Sequence, residues 1–420
     1  MPRLDKKANK KGKMPALPLI LLRVFLPFAA GYFLSYLYRV VNSVIAPDLI
    51  ADVGIGPSAL GMLTASYLIA FASFQLPLGV LLDRFGPRKV EAVLLLFAAL
   101  GAFIFAGADR LAELAAGRAL IGLGVSACLM AAFKAYTLWF PKEKWPLING
   151  LQMAAGGLGA LAATSPVEAA LQFTNWRGVF AALTLLTLIA AAAVFILVPE
   201  KPSLGGNREN LHDQLLGIRE VFTSRVFWRT APLTTASQAA FMAIQGLWAG
   251  PWLTHVGNLN RTDTAHVLFW VAAAMIAGFI LLGSLAERLS RKGFGVTSTA
   301  VIGMSLFMGV QLLLLLNPAG WLLPLWLAFG FFGTSGVIPY SALSQTFPAH
   351  LSGRVTTALN LLVFVAAFAG QWAIGAIIGS FTAGAGQPLS AAGFNAGFGL
   401  LLLLEAAGLF NYLLCRRDGS

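Results

Sequence analysis

Residues 79–89 read GVLLDRFGPRK, and residues 283–293, 204 positions further on, read GSLAERLSRKG. Both are short charged breaks in apolar sequence. Both open on glycine and carry an acid followed at once by arginine. A second pair, LWFPKEKWPLINGL at 138–151 and QTFPAHLSGRVTTALN at 345–360, is separated by almost the same interval. A chain that echoes itself at half its length is built from two related halves. Many membrane transporters place a substrate site at the interface of two such bundles.

The sequence around these breaks is membrane-like. Of 420 residues, 58% are hydrophobic and only 11% charged, against roughly 25% charged in soluble domains. Apolar runs of about 20 residues mark twelve expected spans, near 18–46, 57–82, 90–108, 112–139, 147–170, 177–198, 231–255, 264–286, 296–316, 321–346, 355–381 and 393–414. The one long polar connection, 199–230, divides them six and six. The expected organisation is a basic tail (1–17), a six-helix bundle (18–198), a linker (199–230), a second bundle (231–414) and a short tail (415–420). The net charge of +12 is not a nucleic-acid footprint, because the basic residues cluster in the tails and the short breaks. With the N-terminus in the cytoplasm, the tails and even-numbered connections hold 23 Lys and Arg and the opposite side holds three. The positive-inside rule then puts both termini in the cytoplasm. No small-residue cleavage site follows the first apolar stretch, so it reads as a span rather than a signal peptide.

Gly79, Asp83, Arg84, Gly86, Arg88 and Lys89 match the G-x-x-x-D-R-x-G-x-[RK]-[RK] loop signature of the major facilitator superfamily, in the loop where that family carries it. The degraded second copy keeps Gly283, Glu287, Arg288 and Lys292, and GRALIGLGVSA (117–127) resembles the family's fourth-helix pattern, with Arg118 in its arginine position. The resemblance covers essentially the whole chain. It implies an all-α membrane protein of twelve transmembrane helices in two pseudo-symmetric bundles, working by alternating access. It also implies that the loop is a conformational latch. In physical terms, Asp83 is expected beside the N-terminal amides of the next helix, bridged by Arg84, Arg88 and Lys89. Glu287 and Arg288 would play that part in the second half. Plain topogenic charge is the alternative, and both can hold at once.

Besides Arg118, two cations lie inside spans. Arg39 stands 16 residues after Arg23 and 9 before Asp48, roughly 24 and 14 Å along a helix, too far for its side chain to reach either surface. An ionisable group at that depth costs roughly 2.5 to more than 10 kcal/mol and is a functional candidate. Tyr32, Ser35, Tyr36, Arg39 and Asn42 recur at three- and four-residue spacing. They form one polar face, which should line a cavity rather than meet lipid. Lys134 lies eight residues before Lys142. It is expected as an auxiliary cation facing the same cavity, with no evident acidic partner. The first helix is similar to that of organophosphate:phosphate antiporters and of sugar-acid and carboxylate symporters, which implies an anion-binding role for Arg39. Two departures qualify this. Helix seven has no arginine, so a two-arginine phosphate clamp is absent, and Tyr38 stands where some sugar-acid symporters carry an acid.

Neutral partners are expected from the second half: Gln238 and Gln245, Tyr340 and Ser341, and Asn360, with Phe364 nearby. Helix–helix hydrogen bonding is the alternative use of each. Glu168 and Glu405 are candidate proton carriers, or respectively a solvated and a structural acid. Two cysteines (Cys128, Cys415) and four scattered histidines give no metal-ligand spacing, and no cofactor is expected. No nucleophile–base pair points to an enzyme. A drug or metabolite exporter of the same fold would want a G-x-x-x-G-P-x-x-G-G pattern on helix five, which AAGGLGALAATSPVE does not match. The expectation is therefore a monomeric, multi-pass transporter of the bacterial inner membrane, embedded in lipid. It would import a small organic anion, a carboxylate or sugar acid rather than a phosphate ester, with H+ as coupling ion.

Overall fold

The computed structural model describes residues 17–54, 57–200, 211–316, 320–381 and 390–417. The basic tail, the middle of the linker (201–210) and the last three residues lie outside the described residues. The described chain is all helical. In order, the principal helices are α1 (Leu26–Val44), α2 (Pro57–Ser73), α3 (Gln75–Phe85), α4 (Pro87–Ala106), α5 (Leu111–Val125), α6 (Cys128–Trp139), α7 (Trp145–Ala162) and α8 (Trp176–Leu197) in the first half. The second half has α9 (Leu211–Thr223), α10 (Arg225–Ala243), α11 (Arg261–Arg291), α12 (Val296–Leu316), α13 (Leu322–Gly333), α14 (Ile338–Thr346), α15 (Ser352–Ser380) and α16 (Ala391–Arg417).

Among the described residues nine helices are long and apolar enough to cross a membrane, or ten if the bent α2–α3 rod counts as one. The two other expected spans correspond to α7 and to α10 with its continuation. They fall short because they carry polar residues on buried faces: Asn149 and Gln152 on α7, and Thr230, Thr234, Ser237 and Gln238 on α10. The linker, expected as a polar connection, contains a helix, α9, whose Gly217 packs on the Arg354 guanidinium at the start of α15.

Local chemistry explains the breaks. The 46° bend between α2 and α3 sits just before Pro77, whose ring displaces the carbonyl of Ser73 four residues back. Pro339 stands in the same relation to Ser335, where α13 passes through a 3-10 turn into α14. The elbow between α3 and α4 needs Gly86, at φ +80°, a conformation that side chains disfavour. Pro87 then occupies the first helical position, where no amide hydrogen is required. Polar caps start other rods: Asn175 accepts from the Gly178 amide at 3.0 Å and Asn260 from Asp263 at 2.8 Å.

Each half packs through glycines that let backbones touch. Gly159 on α7 faces the Phe33 carbonyl of α1, and Gly122 on α5 faces the Tyr67 carbonyl of α2. A side chain at Gly159 must push α1 away, and overpacking of this kind costs about 1–3 kcal/mol. Gly159→Val is therefore expected to lower the thermal midpoint of the purified protein in scanning fluorimetry. Gly309→Ala, where a methyl meets nothing within 4 Å, is expected to leave it unchanged.

Candidate functional site

The halves meet along a ladder in which α3 and the end of α2 run against α15. Phe71, Gln75, Gly79 and Asp83 recur every four residues on one face. They meet Phe364, Asn360, Arg354 with Thr357, and Gly353 in turn. Phe71 and Phe364 pack with centroids 4.9 Å apart and rings tilted by 50°. Gln75, fully buried, accepts from Asn360 Nδ2 at 3.0 Å and donates to the Phe71 carbonyl at 3.2 Å. The Tyr340 hydroxyl donates to Asn360 Oδ1 at 3.3 Å. Gly79 brings α3 so close that a β-carbon would sit 3.0 Å from the Arg354 Cα.

At the end of the ladder Asp83 is enclosed by donors. Its carboxylate accepts from the amides of Gly353 (2.9 Å) and Arg354 (3.1 Å), the second and third residues of α15. Those amides have no partner within their own helix, and the helix dipole favours an anion there. Lys134 Nζ lies 2.8 Å from Asp83 Oδ1 and donates to Ser352 Oγ at 2.6 Å. Asp83 and Lys134 are only 2% and 5% exposed.

Two expectations change here. Lys134 is not an unpaired companion of Arg39; its charge is matched by Asp83, which a helix reaching Phe85 carries to the same depth. Asp83 caps α15 of the other half rather than the following helix, and Arg84, Arg88 and Lys89 do not bridge to it. Instead Lys89 pairs with Glu200, Arg88 lies 3.7 Å from Glu200 and donates to the Phe195 carbonyl at 2.8 Å, and Arg84 lies over Phe85. The Lys89 ammonium holds the Glu200 carboxyl below its ordinary range. In the second copy Glu287 pairs with Arg291 one turn away, at 2.5 Å, and Arg288 is exposed.

Arg39 lies at the other end of the ladder. Its guanidinium carbon sits 4.6 Å from the Tyr36 ring centroid, 5.5 Å from Phe71 and 5.3 Å from Phe364. Its Nε is buried with no hydrogen-bond partner among the described residues, and the hydroxyl of neighbouring Tyr67 is buried beside it. Among the described residues no carboxylate pairs with it. Cation–π contacts return about 0.5–2 kcal/mol each. A carboxylate at 4 Å gives about 4 kcal/mol even at an effective dielectric of 20. The aromatic faces hold the cation, and an arriving anion outbids any one of them.

The other expected residues divide. Tyr32 donates to Met153 Sδ at 3.3 Å, Ser35 is buried, and Asn42 keeps a buried Oδ1 without a partner. Gln238 is spent on the Gly333 carbonyl (3.1 Å), freed where α13 ends, and Ser341 on the Ile338 carbonyl of its own helix. Tyr340 and Asn360 belong to the ladder. Gln245 is half-buried in a π-helical turn, Ile244–Trp248, a feature frequent at functional sites. Glu168 is exposed. Glu405 is buried, accepting from Gln311 Nε2 at 2.5 Å. Gln75, Phe71, Tyr67 and Ser352 were not singled out from the sequence; the four-residue register of Gln75 with Gly79 and Asp83 was the available signal. Arg118 is structural in this conformation, donating to the Tyr38 carbonyl at 2.9 Å and lying over Tyr67.

A family model described as Major Facilitator Superfamily matches residues 28–371. The Escherichia coli protein named "Hexuronate transporter" is 24% identical over 303 residues, covering 68% of this chain and 69% of that one. The "Probable sulfoacetate transporter SauU" of Cupriavidus necator is 28% identical over 157 residues. That match spans 37% of this chain and about a third (36%) of the relative's length. The "Nitrite extrusion protein" of Bacillus subtilis is 26% identical over 257 residues, covering 60% of each chain. Among solved structures, the E. coli fucose:proton symporter FucP superposes with a TM-score of 0.68 at 13% identity, covering 93% of this chain and 98% of that chain. The likeness to FucP is one of fold.

Removing one partner of a buried ion pair costs roughly 3–5 kcal/mol, because the other is left charged and unmatched. Asp83→Asn is thus expected to open the α3–α15 contact, read as lengthened spin-label distances between the elbow and the start of α15. Asp83→Asn with Lys134→Met is expected to cost less than the two single changes summed.

Proposed function

We propose that this chain, which belongs to the Major Facilitator Superfamily, moves a small organic anion across the bacterial inner membrane by alternating access, with Arg39 gripping the anionic group. The protein is a multi-pass membrane transporter and not an enzyme. One observation carries the substrate class: Arg39 is an intramembrane cation held by aromatic faces, with no carboxylate partner among the described residues. The relatives named for hexuronate and sulfoacetate support a carboxylate or sugar acid. Lys134 drops out of direct binding, since Asp83 already satisfies it. Tyr36, Asn42, Tyr67 and Gln245 supply hydroxyl and amide groups around the ligand.

The proposed arrangement keeps twelve spans, two bundles (18–198 and 231–414) joined by the linker 199–230, and both termini cytoplasmic. In that orientation the Asp83 end is cytoplasmic. The inter-half bonds described above lie between that end and the level of Arg39, so the conformation reads as outward-open. Substrate reaching Arg39 displaces the Phe364 face, which belongs to the opposite half, and this loosens the ladder. Glu405 of α16 is the proposed proton carrier, buried against Gln311 of α12.

A thermal-shift screen of purified protein against sugar acids, short carboxylates, organophosphates and nitrite tests this reading. Sugar acids or carboxylates are expected to raise the midpoint of the wild-type protein by several degrees and that of Arg39→Ala by none. Equal stabilisation of both proteins would remove Arg39 from the site. Stabilisation by neutral or cationic compounds alone would remove the anion.

A further inference from the structure

The signature loop has charges that neither the ladder nor the anion site uses. At the elbow between α3 and α4 a cavity of about 280 Å3 opens, with Arg84, Phe85, Arg88, Lys89, Trp139 and Glu200 in its wall. Three cations face one carboxylate. Lys89 and Arg88 share Glu200, while Arg84 is exposed and has no ion pair among the described residues. Among the described residues two positive charges are left unmatched.

The cavity opens at the head of an apolar track. Starting nearly two turns into α4, Val93, Leu96, Phe97, Leu100 and Phe103 are all exposed, at the three- and four-residue spacing of a single helix face. On the helix packed beside it, Phe195 and Ile196 are exposed as well. A cationic cleft with a tryptophan wall, at the end of spans and continuous with a lipid-facing stripe, has the two-part chemistry of a phospholipid: phosphate above, acyl chains below.

We propose that this cleft seats the phosphate of one anionic phospholipid, whose acyl chains lie along the exposed face of α4. The surplus of two positive charges selects against zwitterionic lipids, whose ethanolamine or choline brings a further cation into the cleft. The apolar track distinguishes a lipid from free phosphate, which gains nothing from it. The site is independent of Arg39 and of what the protein transports.

Native mass spectrometry of the detergent-purified full chain tests it, with phosphatidylglycerol, phosphatidylethanolamine or inorganic phosphate added. Phosphatidylglycerol is expected to be retained roughly tenfold more than phosphatidylethanolamine, and millimolar phosphate to leave it in place. Arg84→Gln with Lys89→Gln is expected to erase that preference, and Glu200→Gln to increase it. Arg288→Gln with Lys292→Gln, the same charge change at the second elbow, is expected to preserve it. Equal retention of the two lipids by the wild-type protein overturns the proposal and needs no variant. An unchanged preference in the Arg84/Lys89 variant, or equal loss in the Arg288/Lys292 variant, also overturns it. Displacement by inorganic phosphate would make the cleft a soluble-anion site and overturn the lipid.

Discussion

A carboxylate removed from water must be surrounded by donors, and Asp83 finds most of them by reaching across to the other half of the molecule. Two amides at the start of α15, the Lys134 ammonium and the nearby Arg354 guanidinium, at 3.5 Å, enclose it. None of these groups is satisfied as well if the halves part at this end, because each is buried and would need water or a new partner. A buried contact of this kind is either made or broken, which suits the alternating access proposed above. Gly79 makes it possible, since any side chain there would hold α3 off the α15 backbone.

The same pairing decides the electrostatics of the site. With Lys134 matched by Asp83, the positive field around Tyr67 comes from Arg39 and the buried Arg118, which are supported by phenols, phenyl rings and the Tyr38 carbonyl, with no acid paired to either among the described residues. A cation held by aromatic faces and a neighbouring phenol, with no acid among the described residues, is retained without being neutralised. An anionic ligand can displace such contacts at small cost, whereas it would have to break a salt bridge to reach a paired arginine. Because Phe364 belongs to the half opposite Arg39, the binding step and the ladder share one side chain. That is the physical link between occupancy and conformation in this account.

Much of this was legible in the sequence, and the parts that were not share a cause. Arg39 and its polar face could be read from helical spacing and from distance to the nearest charges, because both are properties of a single helix. The repeat at 79–89 and 283–293 announced two halves. The partner of Lys134 could not be read, because Asp83 lies 51 positions away and looks like a loop residue until α3 is seen to continue to Phe85. Gln238 looked like a ligand contact for a similar reason. Its partner, the Gly333 carbonyl, is free only because α13 stops there. Gln75 was passed over as one polar residue in an apolar helix, though it shares a four-residue register with Gly79 and Asp83.

Substrate counterflow in proteoliposomes tests the central claim, that Arg39 binds the charge of the ligand rather than its body. Vesicles are loaded with a sugar acid and supplied outside with trace labelled acid or its uncharged parent sugar. The account predicts accumulation of the labelled acid alone, abolished in Arg39→Gln. Equal accumulation of the uncharged sugar, or undiminished accumulation of the acid by Arg39→Gln, would contradict it.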